Sequence, residues 1–165
     1  MRAAHHRTVF SSHRTGSFTR SRAGTRGLGC LVTNLKGSCV LMADRNLGLR
    51  DGVRGLLETE FETVFMVADE ISLLEGAERL SPPVVVLDLS LAAGDLPGLL
   101  ARVTERSPRT KILMLTVHDE ATVAAAALAA GAEAVVLKSR LSTDLLPAVD
   151  ALRAGTRYLS PGLSR

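Results

Sequence analysis

The sequence predicts an α/β fold, a doubly wound sheet of five parallel strands covered by helices on both faces. Three observations carry this. Continuous apolar runs recur at 39–44, 63–68, 84–88, 111–116 and 134–138. Unbroken runs of that length suit strands buried on both faces, as parallel sheets require. Between them apolar residues fall at helical spacing, so strand and helix alternate. About 115 residues then hold five strand–helix units, with connections short enough for right-handed crossovers.

CVLMAD (39–44) is an apolar strand ending in Asp44, and Leu49, Val53, Leu56 and Leu57 follow on one helical face. TVFMVA (63–68) is the second strand, and Asp69 is placed to cap a helix carrying Ile71, Leu74 and Ala77. VVVLD (84–88), set off by Pro82 and Pro83, is the third strand. After it, Pro97 sits in the first turn of a helix with Leu96, Leu99, Leu100 and Val103 inward. KILMLT (111–116) is the fourth strand, and the helix ATVAAAALAA ends at Gly131. AVVLK (134–138) is the fifth. Its helix runs from about Thr143 to Ala154 with Leu145, Val149 and Leu152 on one face, and Pro147 near the first turn.

The chain has 165 residues, of which 46% are hydrophobic and 3% aromatic, with no Trp. The length suits one domain with a proper core, and the scarcity of aromatics argues against stacking platforms for single-stranded nucleic acid. The net charge of +3 is unevenly spread. Residues 1–36 hold six Arg and one Lys with no acid, and the remainder holds 13 basic and 17 acidic side chains. The folded part is therefore mildly acidic, which counts against a nucleic-acid-binding body.

Residues 1–37 are rich in Ser, Thr, Arg, Gly and His without an apolar period, and they read as a disordered basic leader. His5, His6 and His13 there are expected to be solvated rather than metal-bound. An Arg- and Ser-rich leader also resembles an organelle transit peptide, though a floppy tail or an over-extended start codon is preferred. Cys30 and Cys39 do not support a disulfide framework, and a reducing cytoplasm fits. No stretch approaches the length of a membrane span.

Four predicted strands end in a residue with chemistry: Asp44, Asp88, Thr116 and Lys138. In a doubly wound sheet such ends converge on one crevice. Two carboxylates, a hydroxyl and an ammonium suit an aspartyl-phosphate site, in which a carboxylate attacks phosphorus and the ammonium and hydroxyl bind phosphoryl oxygens. A hard cation would bridge carboxylate and phosphate. Asp88, at the end of a buried strand, has few structural explanations. Asp44 can equally cap the first helix, Lys138 can reach solvent, Thr116 alone is weak, and His118 reads as a solvated loop residue.

The segments VLMAD, VVVLDLS, ILMLTVHDE, AGAEAVVLKS and AGTRYLSP resemble the receiver domain of two-component response regulators, and LTVHDE with GTRYLSP points to the LuxR/NarL-type subfamily. The resemblance spans 38–161, leaving 162–165 as a tail. It implies a flavodoxin-like, CheY-like fold with strand order 2-1-3-4-5. It also implies that Asp88 is the phosphoacceptor, Thr116 the switch hydroxyl and Lys138 the phosphate-pairing lysine. Magnesium would be held by Asp44, Asp88 and the backbone carbonyl of Ser90. A sensor histidine kinase or phosphotransfer protein would be the phosphodonor, and a homodimer or an effector protein the further partner, in the cytoplasm. No enzyme activity is expected beyond self-catalysed phosphotransfer and dephosphorylation.

Four positions depart from the family's pattern. Arg45 replaces the second acid of the pair after the first strand, Ala92 a proline, Leu96 a glycine, and Val135 the aromatic switch residue. With Asp44, Asp88, Arg45 and Lys138 the formal charge is zero. Either Arg45 forks onto Asp88 and substitutes for the metal, or it faces solvent and magnesium binds weakly. The alternative function is thus a degenerate receiver, a phosphorylation-independent interaction module. A haloacid-dehalogenase-type phosphatase fits poorly, since Ser90 stands where that family needs an acid. The resembling family usually begins its DNA-binding helices just after RYLSPGLSR, so either a stand-alone receiver or a truncated regulator is expected.

Overall fold

The most buried apolar runs occupy the inner positions of the sheet. A computed structural model describes residues 39–163. The expected leader, with its histidines and Cys30, lies outside the described residues, as do positions 164 and 165. The sheet contains β1 (Cys39–Ala43), β2 (Thr63–Val67), β3 (Val84–Asp88), β4 (Lys111–Thr116), β5 (Ala134–Leu137) and β6 (Tyr158–Leu159). All neighbours are parallel, in the order β2-β1-β3-β4-β5-β6. β1 and β3 are buried at every position and lie next to each other near the middle, as their unbroken Val, Leu and Met runs demand.

The expected count of five strands is corrected to six. Tyr158 and Leu159 pair with Ala134 and Val135, which extends the expected order by one edge strand. A two-residue strand is too short to generate a periodic signal, and its sequence merely follows a helix-ending Gly155.

Helices cover both faces. Alternate strand residues point to opposite sides, so Val40 and Met42 join one core and Leu41 and Ala43 the other. The first core is closed by α1 (Leu47–Leu57) and α5 (Leu141–Arg153), through Val53, Leu57, Leu145, Val149 and Leu152. The second is closed by α2 (Glu70–Leu80), α3 (Leu96–Arg106) and α4 (Ala121–Ala129), through Leu73, Leu99, Leu100, Val103 and Ala127. Asp69 and Asp95 cap α2 and α3 by accepting the N–H groups of Ser72 and Gly98. Gly131 adopts the left-handed conformation after α4, with φ of 111°.

Two local expectations are corrected. Ile71 is 72% exposed, and Leu73, Gly76 and Ala77 are the buried residues of α2. α5 begins at Leu141, so Pro147 lies in the helix interior and removes one intrahelical hydrogen bond. The start was displaced because a 3-10 turn, Lys138–Arg140, leads directly into α5.

Candidate functional site

Sheet register gathers the site. Ala43 pairs with Leu87, Asp88 with Leu115 and Thr116 with Leu137, so the residues that end four successive strands share one edge. That edge is the C-terminal one, where open α/β sheets bind ligands. A crevice of about 510 Å³ opens there, lined by Asp88, Ser90, Thr116, Lys138, Arg45 and His118 among others. Asp44 lies beneath it, fully buried.

Lys138 organises the floor. Its ammonium lies 2.9 Å from Asp44 Oδ2 and 3.0 Å from Asp88 Oδ1. Both carboxylates are buried, and a buried charge survives only when paired and hydrogen-bonded. The remaining oxygens are also engaged. Asp44 Oδ1 accepts the Asn46 N–H at 2.7 Å, and Asp88 Oδ2 accepts the Ser90 hydroxyl. Asn46, rather than Asp44, caps α1 by accepting the Gly48 N–H at 3.0 Å. Asp44 is thereby left for the crevice.

Thr116 is buried at the end of β4, and its oxygen accepts the His118 N–H at 3.0 Å. That bond folds the loop back over the strand end and fixes the hydroxyl toward the crevice. His118 is itself largely exposed, 3.7 Å from Glu120. The 3-10 turn Leu89–Ala92 follows Asp88, and Ala93 beyond it takes a left-handed conformation, φ 47°, against the crevice.

Arg45 lines the same crevice but stays exposed, and among the described residues no ion pair joins it to Asp88. The guanidinium fork onto Asp88 weighed from the sequence is therefore not formed; Lys138 holds that oxygen instead. Among the described residues no cluster of three His, Cys, Asp or Glu could hold a metal. Asp44, Asp88 and the Ser90 carbonyl offer the hard oxygen donors magnesium favours, but one carboxylate is missing and a cation stands in its place. The donor set fits magnesium incompletely. Of the other departures, Val135 is buried in β5 beside Met114 and Leu159, Ala92 is buried, and Leu96 is half-buried.

One group near the site was not singled out from the sequence. Arg140 forks onto Asp144, with Nε 2.8 Å from Oδ2 and Nη2 3.2 Å from Oδ1. Their i, i+4 spacing was a readable signal. Burial raises the Asp144 carboxyl, but hydrogen bonds from Arg140, Ser160 and Thr143, with the charge of Arg140, together hold it below its ordinary value.

The model of the response regulator receiver domain family matches residues 40–150. The chain belongs to this family. Receivers of this kind act in two-component systems, and magnesium generally supports their phosphorylation. The oxygen regulatory protein NreC of Staphylococcus carnosus is 30% identical over 129 residues, covering 76% of this chain and 59% of NreC. The transcriptional regulatory protein DegU of Brevibacillus brevis is 29% identical over 132 residues, covering 79% of this chain and 56% of DegU. The chain thus spans rather over half the length of these relatives. Among solved structures, a LuxR-family response regulator from Aurantimonas superposes with a TM-score of 0.70 at 26% identity, covering 78% of this chain and 94% of that one. The isolated receiver domain of RcsB from Salmonella enterica with beryllofluoride superposes with a TM-score of 0.68 at 25% identity, covering 79% and 98%. The LuxR/NarL-type resemblance of the sequence holds for this receiver, with the strand order extended by β6. Among the described residues no helix is long and apolar enough to cross a membrane.

Proposed function

We propose that this receiver accepts a phosphoryl group on Asp88 from a sensor histidine kinase or phosphotransfer protein in the cytoplasm, and changes its interaction face in response. The observation that carries the reading is Lys138, which spans Asp44 and Asp88 on the floor of a crevice walled by Thr116. An oxygen of Asp88 forms a bond to phosphorus while the bond from phosphorus to the donor imidazole breaks, and the imidazole, already protonated on its other ring nitrogen, leaves as the neutral ring. Lys138 then pairs with phosphoryl oxygens, and the Thr116 hydroxyl donates to another. The attacking oxygen first sheds its contact with Lys138 or Ser90. Self-catalysed transfer and dephosphorylation are the reactions proposed for this donor set. A second copy of the chain or an effector protein is the proposed listener; RcsB has been solved as dimers on DNA.

Arg45 favours a second reading. A cation in the crevice opposes magnesium, so the chain would work as an interaction module without phosphate. Mass spectrometry after incubation with magnesium and acetyl phosphate separates the two. A phosphoryl adduct on the wild type, absent from Asp88→Asn, supports the first reading; an unmodified wild type overturns it in favour of the second.

A further inference from the structure

Lys138 is held not only at its ammonium but also along its backbone. The N–H of Leu137, the residue before Lys138, donates to Ser160 Oγ at 3.0 Å. The Ser160 hydroxyl lies against the Asp144 carboxylate and helps hold it below its ordinary value. Asp144 receives the fork from Arg140, two residues after Lys138. These contacts close a ring around Lys138: Leu137, Ser160, Asp144, Arg140 and back along the chain. Ser160 is fully buried and Asp144 is 2% exposed, so solvent cannot replace either partner. Ser160 also donates its N–H to the Val135 carbonyl at 3.0 Å, which fixes it beside β5 as the residue that follows β6.

We propose that Ser160, Asp144 and Arg140 are positioning residues for Lys138, and that through them β6 reports the state of the crevice. When Lys138 turns from Asp44 and Asp88 toward a new anion, the 3-10 turn that carries it moves. The ring passes that movement to Ser160 and the C-terminal segment. Val135 offers no comparable route, because an aliphatic side chain buried between Met114 and Leu159 has neither a polar tip nor space to swing.

The kinetic arm below rests on the phosphoacceptor reading; the spectroscopic arm does not. Asp88→Asn alters only the crevice, and its effect on the backbone amide resonances of Tyr158, Leu159 and Ser160 is measured in three backgrounds. These are the wild type, Ser160→Ala and Arg140→Gln, the last acting from the exposed end of the ring and leaving the core intact. Shifts at 158–160 are expected in the wild-type background and are expected to collapse in both ring-broken backgrounds, while β1 and β2 resonances stay in place. Undiminished shifts in the broken backgrounds, or none in the wild type, would overturn the coupling. In the kinetic arm, the acetyl phosphate reaction at Asp88 is expected to slow about fivefold in each ring variant, the effect of one net hydrogen bond. An unchanged rate in the folded variants overturns the positioning role. A wild type that takes no phosphoryl group sinks the phosphoacceptor reading, and the spectroscopic arm still decides the ring.

Discussion

Arg45→Asp is the substitution that tests the electrostatics of the crevice most directly. It changes the charge lining the site by two units and supplies the carboxylate the donor set lacks. A volume of about 510 Å³ corresponds to a breadth of about 8 Å. Two charges acting on a divalent ion across about 8 Å of water are worth about 2 kcal/mol, or about thirtyfold in affinity. Arg45 is exposed, so the water dielectric is the appropriate one and salt attenuates the effect. With a Debye length of about 8 Å at physiological ionic strength, the gain falls to about 0.8 kcal/mol, or about fourfold. Magnesium titration by calorimetry at low and physiological salt measures both numbers. Tighter binding by Arg45→Asp that narrows as salt rises is the expected result. Equal affinity in the two proteins at low salt would refute the reasoning, and a salt-independent gain would replace field effects with direct ligation.

The remaining expectations concern stability. Lys138→Met leaves Asp44 and Asp88 buried without their shared cation, and urea unfolding should show a loss of about 3 kcal/mol, partly recovered by adding Asp44→Asn; a loss under about 1 kcal/mol would mean the carboxylates find other compensation. Asp144 has a folded-state pKa below its ordinary 3.8, so its contribution is fully present above about pH 4 and is lost as pH falls through the folded value. The acid limb of the stability curve should therefore flatten in Asp144→Asn, and an identical limb in both proteins would remove Asp144 from the cause. A Cβ at Gly52 or Gly55 of α1 meets nothing, so alanine there should stabilise by about 0.5–1 kcal/mol each. At Gly76 it would lie 3.0 Å from Leu41, and Gly76→Ala should instead destabilise, with thermal melts reading all three.

The parts of the fold that follow from local chemistry were readable in the residues. Five strands stood out because each is a continuous apolar run, and Asp69, Pro97 and Gly131 marked helix ends by the residue types that ends favour. β6 was not readable, since Tyr158 and Leu159 become a strand only by pairing with β5. The early start of α5 escaped for a related reason: Pro147 argues for a nearby helix start, and only tertiary packing of Leu141 and Leu145 overrides it. At the site, the strand-end residues pointed to one another in sequence, whereas Ser160 meets Asp144 through a contact between distant elements. Asn46 took the capping role open to Asp44 because three residues separate β1 from α1, which strand and helix periodicity alone does not fix.

The short strand β6 has one more consequence. A parallel sheet ending at β5 would offer a row of unpaired amide and carbonyl groups to any extended chain, the usual starting point for intermolecular sheet growth. β6 occupies that row at Ala134 and Val135, and Ser160 takes the next carbonyl and amide, those of Val135 and Leu137. The segment that closes the ring around Lys138 is therefore also the guard against aggregation at that edge. Loosening it exposes sticky backbone, so any partner that pulls β6 away must offer backbone hydrogen bonds in exchange.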